Sequence, residues 1–376
     1  MKKIREENLS FKFKKLYRYI CIYGVTRALV KTFGIIRPHV RLDIIFSLNI
    51  LRRGNRNIFM IGAGYHAYTS IAYYVTLFTK AKIRFVYDTD FNASETFASA
   101  YGANIIPYES LSDSYFINSV DLAYIASNHS SHAEYASLFI KNNVDVYIEK
   151  PLALNMKQLG LIAESLKKSS SKVYAGYNRP YSKAILKIRQ LMAKSEPLSL
   201  SCAVVGHLIP SDHWYRDVNE GSRVVSNMGH WIDLFIHLLS EKDSLPNYVD
   251  IIYTWSNSSQ PSDNVSISLV TSENDLANIF FTSRSEPFEG VNETIVFQQG
   301  NLIAKIDDFR SMSVWINDKY NLYKYKPKDN GHKAAVLQPF KNYIQRPWNE
   351  LQASTMLMLE IEKMVLEGKN NLRIYF

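Results

Sequence analysis

The chain has 376 residues, of which 47% are hydrophobic and 21% charged, proportions that fit a globular protein of two domains and exclude a disordered one. Its net charge of +9 is confined to one end: residues 1–56 carry 14 Lys or Arg against 3 acids, and the rest of the chain 30 basic against 32 acidic residues. The main body therefore has no nucleic-acid footprint, while a basic N-terminal block of this kind attracts anionic surfaces or acidic partners. Cys21 and Cys202 make neither a disulfide framework nor a metal-ligand spacing, and no apolar run has the length of a membrane span. A cytoplasmic protein without a metal is expected.

Residues 10–36 set aromatic and aliphatic residues among lysines and arginines at roughly helical spacing, which predicts a basic amphipathic helix. Such a helix packs on the following domain or on a second subunit, or lies as a peripheral contact on a membrane surface. From Asn57 to about Ile148 strands and helices alternate: NIFMIGAG, a helix from His66 to Phe78, IRFVYDTD, SETFASAYG, VDLAYIAS, SHAEYASLFIKNN and VDVYIEKPLA. KQLGLIAESLKKS and KVYAGYN continue this pattern, which predicts parallel βαβ units. After about Leu198 the strand LSLSCAVVGHL and the helix VVSNMGHWIDLFIHLLS lead into six strand-like runs, from YVDIIYTWS to SMSVWIND, without helices between them. That succession predicts a largely antiparallel sheet, and the tail from about Lys333 is expected to return to helix. The fold class is α/β: a basic helical extension (1–54), an N-terminal Rossmann dinucleotide-binding domain (55–175) and a C-terminal α/β domain with a largely antiparallel open sheet (176–376).

The stretch GAGYHA, residues 62–67, follows a strand and opens a helix. Gly62 permits a tight turn, Gly64 lets the backbone approach a pyrophosphate, and the small Ala67 allows close packing of helix on strand. Tyr65 and His66 contribute backbone at the helix start, where free N–H groups meet an anion, and the His66 side chain is expected to pack or face solvent. Asp88 ends the second strand, 24 residues beyond Gly64. A carboxylate there accepts from ribose hydroxyls and repels a 2′-phosphate, so NAD is expected rather than NADP. Ligands of open α/β sheets bind beyond the carboxyl ends of the strands, which brings Ser127, Asn128 and His132, and Glu149 with Lys150, towards the nicotinamide end.

Four stretches, SNHSSHAEYA, YIEKPLALN, GYNRPYS and RVVSNMGHWIDLFIHLL, follow in that order. With QQGNLIAKIDDFRSMSVW and DNGHKAAVLQPFKNYI, the chain resembles the glucose-fructose oxidoreductase and inositol dehydrogenase (Gfo/Idh/MocA) family over about residues 55–365. The resemblance implies that Lys150 bridges the nicotinamide ribose and the substrate hydroxyl, that His230 is the general base, and that the open sheet face makes a homo-oligomer. Lysine beside a reacting oxygen stabilises alkoxide charge, and histidine titrates near working pH. Tyr177, Asn178, Arg179, Arg223 and Asn227 are the further substrate-binding candidates, and Asp233 either orients its helix or takes part directly.

Two departures bear on mechanism. Many relatives carry Thr-Pro-Asn where Ser127-Asn128-His129 stands, and an aspartate four residues before the catalytic histidine, where Ser226 stands. These variants resemble the branch found with bacterial surface-polysaccharide genes. The expected function is NAD-dependent oxidation or reduction of a secondary alcohol of a sugar, nucleotide-linked and made for a surface polysaccharide. The alternatives are an NAD-dependent lyase or epimerase with no net redox, and a non-catalytic dinucleotide-binding sensor or scaffold, which the missing aspartate favours.

Overall fold

The computed structural model describes residues 8–42, 56–242, 245–340 and 345–376. Residues 1–7 and 43–54 of the expected extension lie outside them, as do residues 341–344 of the C-terminal stretch. The single helix expected over 10–36 is two, α1 (Leu9–Tyr23) and α2 (Val25–Ile36), separated at Gly24, whose φ of 87° ends one and starts the other. Glycine takes that conformation without a Cβ penalty.

Next come β1 (Asn57–Ile61), a π-helical turn (Ala67–Ile71) running into α3 (Ala72–Phe78), β2 (Lys82–Tyr87), α4 (Phe91–Tyr101), β3 (Asn104–Ile105) and α5 (Ser114–Ile117). After them follow β4 (Leu122–Ile125), α6 (His132–Lys141), β5 (Asp145–Ile148), α7 (Met156–Leu166) and β6 (Val173–Ala175). Local signals fix the ends of α4: the Asp90 side chain accepts the Asn92 N–H at 2.9 Å, and Gly102 closes the helix in the left-handed region. The six strands form a parallel sheet in the order β3-β2-β1-β4-β5-β6, whose central strands are buried on both faces, as crossover helices on both sides require.

The second half begins with α8 (Lys183–Leu191) and β7 (Ser199–Val205), and a second π-helical turn (Val224–Met228) leads into α9 (Gly229–Ser240). Then come β8 (Tyr248–Trp255), β9 (Asn264–Thr271), β10 (Leu276–Thr282), β11 (Asn292–Gln299), β12 (Leu302–Asp307), β13 (Ser311–Ile316) and β14 (Lys319–Lys324). The chain ends with α10 (His332–Val336), α11 (Trp348–Leu366) and β15 (Asn371–Tyr375). The sheet has nine strands in the order β14-β13-β12-β11-β7-β10-β9-β8-β15. It is antiparallel except for the β10–β7 pair. The sequence reading passes over two edge strands: β14, of which five of six residues are exposed, and β15, which takes the tail expected to be helical back to β8.

One face of this sheet is covered by α9 and α11, and the other leaves Ile252, Phe280, Trp315 and Leu322 exposed. α9 is apolar on nearly all sides because it lies between sheet and helices; Asp233 on it is fully buried. Arg346 donates to both Asp233 oxygens at 2.8 Å and Ser354 donates to one of them, so Asp233 ties α9 to α11 and takes no part in a cleft. One apolar core runs from Phe59 and Ile125 of the first sheet to Ile267 and Phe297 of the second, and another, with Ile58, Tyr68 and Phe97, lies on the opposite face of the first sheet.

Candidate active site

The glycine loop is held on three sides. Gly62 stands at φ 91°, and a Cβ there would lie 2.5 Å from the Ala126 backbone, so only glycine brings β1 and β4 together at this height. Nothing lies within 4 Å of the Cβ position of Gly64, which opens onto a cavity of about 640 Å3 lined by Gly62, Tyr65, Asp88, Ser127 and Asn128 among others. Ala67, fully buried, is the small residue that lets the π-turn sit on the sheet. The Ala63 peptide is gripped at both ends. Its N–H donates to Asp88 Oδ2 at 2.6 Å, and its carbonyl accepts from Arg37, just past α2, at 2.8 Å. Asp88 thus shapes the loop and keeps a carboxylate at the rim of the cavity.

Arg27 of α2 donates to the Thr69 carbonyl and to Ser70 Oγ, satisfying polar groups of the π-turn that the looser ladder leaves available. The open space at Gly64, the free N–H groups of the turn and the carboxylate at the end of β2 are what a dinucleotide's pyrophosphate and ribose require, so the residues fit NAD.

Beyond the loop, the β4 and β5 ends supply the rest of the floor. Ser127 Oγ lies 2.7 Å from Ser131 Oγ, and Asn128 donates to Glu220 at 2.8 Å. His132 sits between the Pro151 and Ser127 carbonyls at 2.7 and 3.1 Å, and its pKa is lowered by burial. Glu149 accepts from Tyr147 OH at 2.9 Å and lies 3.1 Å from His66 Nε2. Burial alone would raise its pKa, but His66 and Lys150 pull it down to about 2. The His66 side chain, expected to pack or face solvent, is 43% exposed; its ring is turned toward the Glu149 carboxylate and lines both cavities.

Lys150 and His230 are brought together where this cavity meets a larger one, of about 1440 Å3, between the two sheets. Lys150 Nζ donates to Tyr215 OH at 3.0 Å and to the Ser226 carbonyl at 2.8 Å. The Ser226 side chain donates back into its own turn, to the Ser222 carbonyl at 2.7 Å. The lysine is therefore oriented by a phenol and a backbone carbonyl, neither of them charged. His230 packs edge-on against Tyr177, and its Nδ1 has no hydrogen-bond partner. Burial, with Arg179 and Lys150 nearby, holds its pKa well below the ordinary histidine value, so the ring is neutral.

Of the proposed substrate contacts, Asn227 and Arg179 line the larger cavity; Arg179 is ion-paired to buried Glu293 at 3.0 Å. Tyr177, Asn178 and Arg223 are corrections. Tyr177 is fully buried with its hydroxyl 3.3 Å from Met358 Sδ. Asn178, also fully buried, bonds the Asn330 carbonyl and Arg179. Arg223 is spent on Asp263, Ser283, Asn227 and the His207 carbonyl. All three are internal ties, because buried polar groups find protein partners.

Three residues escaped the sequence reading: Trp214, Tyr215 and His332, which line both cavities. Trp214 and Tyr215 stand in an aromatic run, HWYR, the only signal either gives. His332, with its ring 6.2 Å from that of His66, gives none.

Residues 56–177 match the model of an oxidoreductase family with an NAD-binding Rossmann fold (GFO_IDH_MocA). A curated relative, Oxidoreductase P35 of Formosa agariphila, is 28% identical over 112 residues, 30% of this chain. The match spans about a third (32%) of that relative's length. Among solved structures, levoglucosan dehydrogenase in complex with NADH superposes with a TM-score of 0.69 at 13% identity, over 86% of this chain and 99% of that one. The aldose-aldose oxidoreductase of Caulobacter crescentus, complexed with glycerol, gives 0.69 at 14% identity, over 86% and 100%. At such identities the likeness is one of fold. The chain thus has the two-domain fold of these dehydrogenase and oxidoreductase structures. Within it, residues 56–177 are similar to the NAD-binding Rossmann domain of the Gfo/Idh/MocA oxidoreductases.

Proposed function

We propose that this protein is an NAD-dependent oxidoreductase acting on a secondary alcohol of a sugar, a nucleotide-linked sugar of surface polysaccharide synthesis. The observation that carries the reading is the meeting of the two cavities at Lys150 and His230: one fits a dinucleotide, and the other is open for a substrate. Bound NAD supplies the hydride acceptor, or NADH the donor. Gly62, Gly64 and the start of the π-turn would hold its pyrophosphate, and Asp88 a ribose.

In the oxidising direction Lys150, fixed by Tyr215 and the Ser226 carbonyl, donates to the reacting oxygen and stabilises alkoxide charge. Neutral His230 accepts the hydroxyl proton, and in reduction it returns it. Retention of this pair supports catalysis over a sensor or scaffold role. Oxidation followed by elimination or re-reduction would use the same two groups, and product analysis separates it from net redox.

The test is NADH and NADPH binding by the full chain and by Asp88→Ala. The wild type is expected to prefer NADH; the variant should lose that preference, since it removes the carboxylate and leaves Arg37 in its electrostatic neighbourhood. Absence of binding to either cofactor would overturn the reading.

A further inference from the structure

The N-terminal arm lies outside the span matched by the family model, yet it walls the substrate cavity. Ten of the lining residues come from α1 and α2, among them Lys12, Lys15, Tyr19 and Lys31. The arm spans the cavity from one domain to the other. On the first domain, Gly34 of α2 lies directly against Thr69 and Tyr65, and Arg27 and Arg37 bond the glycine loop and its turn. On the second, Tyr23 OH donates to Glu289 at 2.9 Å, and Phe11 packs on Phe288 with ring centres 5.4 Å apart.

The charge in this cavity is one-sided. Nine lysines and arginines line it against three acids. Each acid is already engaged: Glu289 by Lys328 and Arg310, Glu293 by Arg179, and Asp329 by the Lys183 N–H. Among the described residues, Lys12 and Lys31 have no ion pair. Lys31 is half-buried with its ammonium 5.0 Å from the centre of the Tyr65 ring, and burial with Arg27 nearby lowers its pKa to about 8. Like charges gathered in a cleft destabilise the fold unless a counter-charge enters. At about 1440 Å3 the cavity also exceeds the roughly 300–1,000 Å3 typical of small-molecule pockets, leaving room beyond a single sugar ring.

We propose that the α1–α2 arm is the distal wall of the substrate site and that Lys12, Lys15 and Lys31 hold the diphosphate of a glycosyl diphosphate whose sugar reaches Lys150 and His230. This deepens the oxidoreductase reading and rests on it. The arm thereby selects sugars that carry a diphosphate over free sugars, a selection the two main domains do not supply by themselves. Lysine suits the task because each ammonium is a mobile point charge that can follow a flexible diphosphate.

The test is calorimetric titration of the full-length chain, saturated with NADH at fixed salt, with UDP and with inorganic pyrophosphate as probes. The wild type is expected to bind both, and Lys12→Ala/Lys15→Ala and Lys31→Met to weaken both about 10-fold or more. Lys12→Arg/Lys15→Arg should retain binding, and NADH affinity should stay within about two-fold in the Lys12 and Lys15 variants, which reports an intact cofactor domain. UDP binding more tightly than pyrophosphate supports the proposal with a nucleoside carrier; equal binding supports it with a diphosphate borne by another group. Alanine variants that bind both probes like the wild type, or a wild type that binds neither, overturn it. A wild type that fails to take up NADH while pyrophosphate binding still depends on Lys12 and Lys15 sinks the oxidoreductase reading and leaves the anion site standing.

Discussion

The chemistry proposed for the cleft turns on two side chains whose surroundings differ from those their motif implies. Lys150 is oriented by a phenol and a carbonyl, neither charged, and His230 has no acceptor at Nδ1 to favour its imidazolium form. With its pKa held down by burial and by Arg179 and Lys150, His230 is unprotonated throughout the neutral range. Oxidation needs that unprotonated form. The acid limb of kcat/KM for oxidation is therefore expected below pH 6.5, because activity is lost only as pH falls through the lowered pKa. His230→Asn should reduce kcat by about 10²–10⁴-fold and abolish that limb, and Lys150→Met should reduce it comparably. A limb centred at or above pH 6.5, or an active His230→Asn variant, would remove His230 from the proton path.

At the scale of elements, the contact that fixes the arm is Gly34 against the π-turn. A methyl there would press on the Thr69 methyl and the Tyr65 ring, and Thr69 is not free to swing because its hydroxyl donates to the Tyr65 carbonyl at 2.8 Å. Gly34→Ala gains about 1 kcal/mol of helix propensity. Against that stands overpacking of about 1–3 kcal/mol, applied at the glycine loop itself. The net expectation is lower stability in urea together with weaker NADH binding. Thr69→Ser in the same chain, which removes the methyl and keeps the hydroxyl, should restore both. An improved urea midpoint in Gly34→Ala with unchanged NADH affinity would show that the arm does not bear on the loop. Nothing in the sequence of residues 25–36 marks this glycine: inside a helical pattern it reads as a minor penalty, and its purpose is visible only against Tyr65 and Thr69. Gly62 is the opposite case, since its place between a strand and a turn declares its role at once.

Across the whole molecule, what was legible followed local rules. The alternation of strand and helix gave the parallel sheet, and the spacing of Gly62, Gly64 and Asp88 gave the glycine loop and the carboxylate that grips it, because these are contacts between neighbours in a βαβ unit. Tyr215 over Lys150, His332 beside His66, and the burial of Tyr177, Asn178 and Arg223 depend on segments far apart in sequence packing on one core, which no short window encodes. The fold also distributes buried and half-buried histidines through the structure. His129 and His132 lie under the first cavity, His230 and His237 on α9, and His332 at the start of α10. Burial lowers the pKa of all five, that of His129 to about 3. In the unfolded chain each takes up a proton near pH 6.5, whereas in the folded chain it does not, so the unfolded state binds more protons and stability falls with pH. The loss begins below about pH 6.5, at up to about 1.4 kcal/mol per pH unit for each histidine that stays unprotonated in the folded chain. The carboxylates come later: Glu149 and Glu350, both lowered to about 2 despite their burial, stabilise the fold above their ordinary values near 4.5 and lose this as pH falls through 2. Urea unfolding should therefore show a first decline in stability between pH 7 and 5, before Glu149 and Glu350 titrate. A flat profile across that interval would mean that these histidines gain protons in the folded cleft as readily as in the open chain.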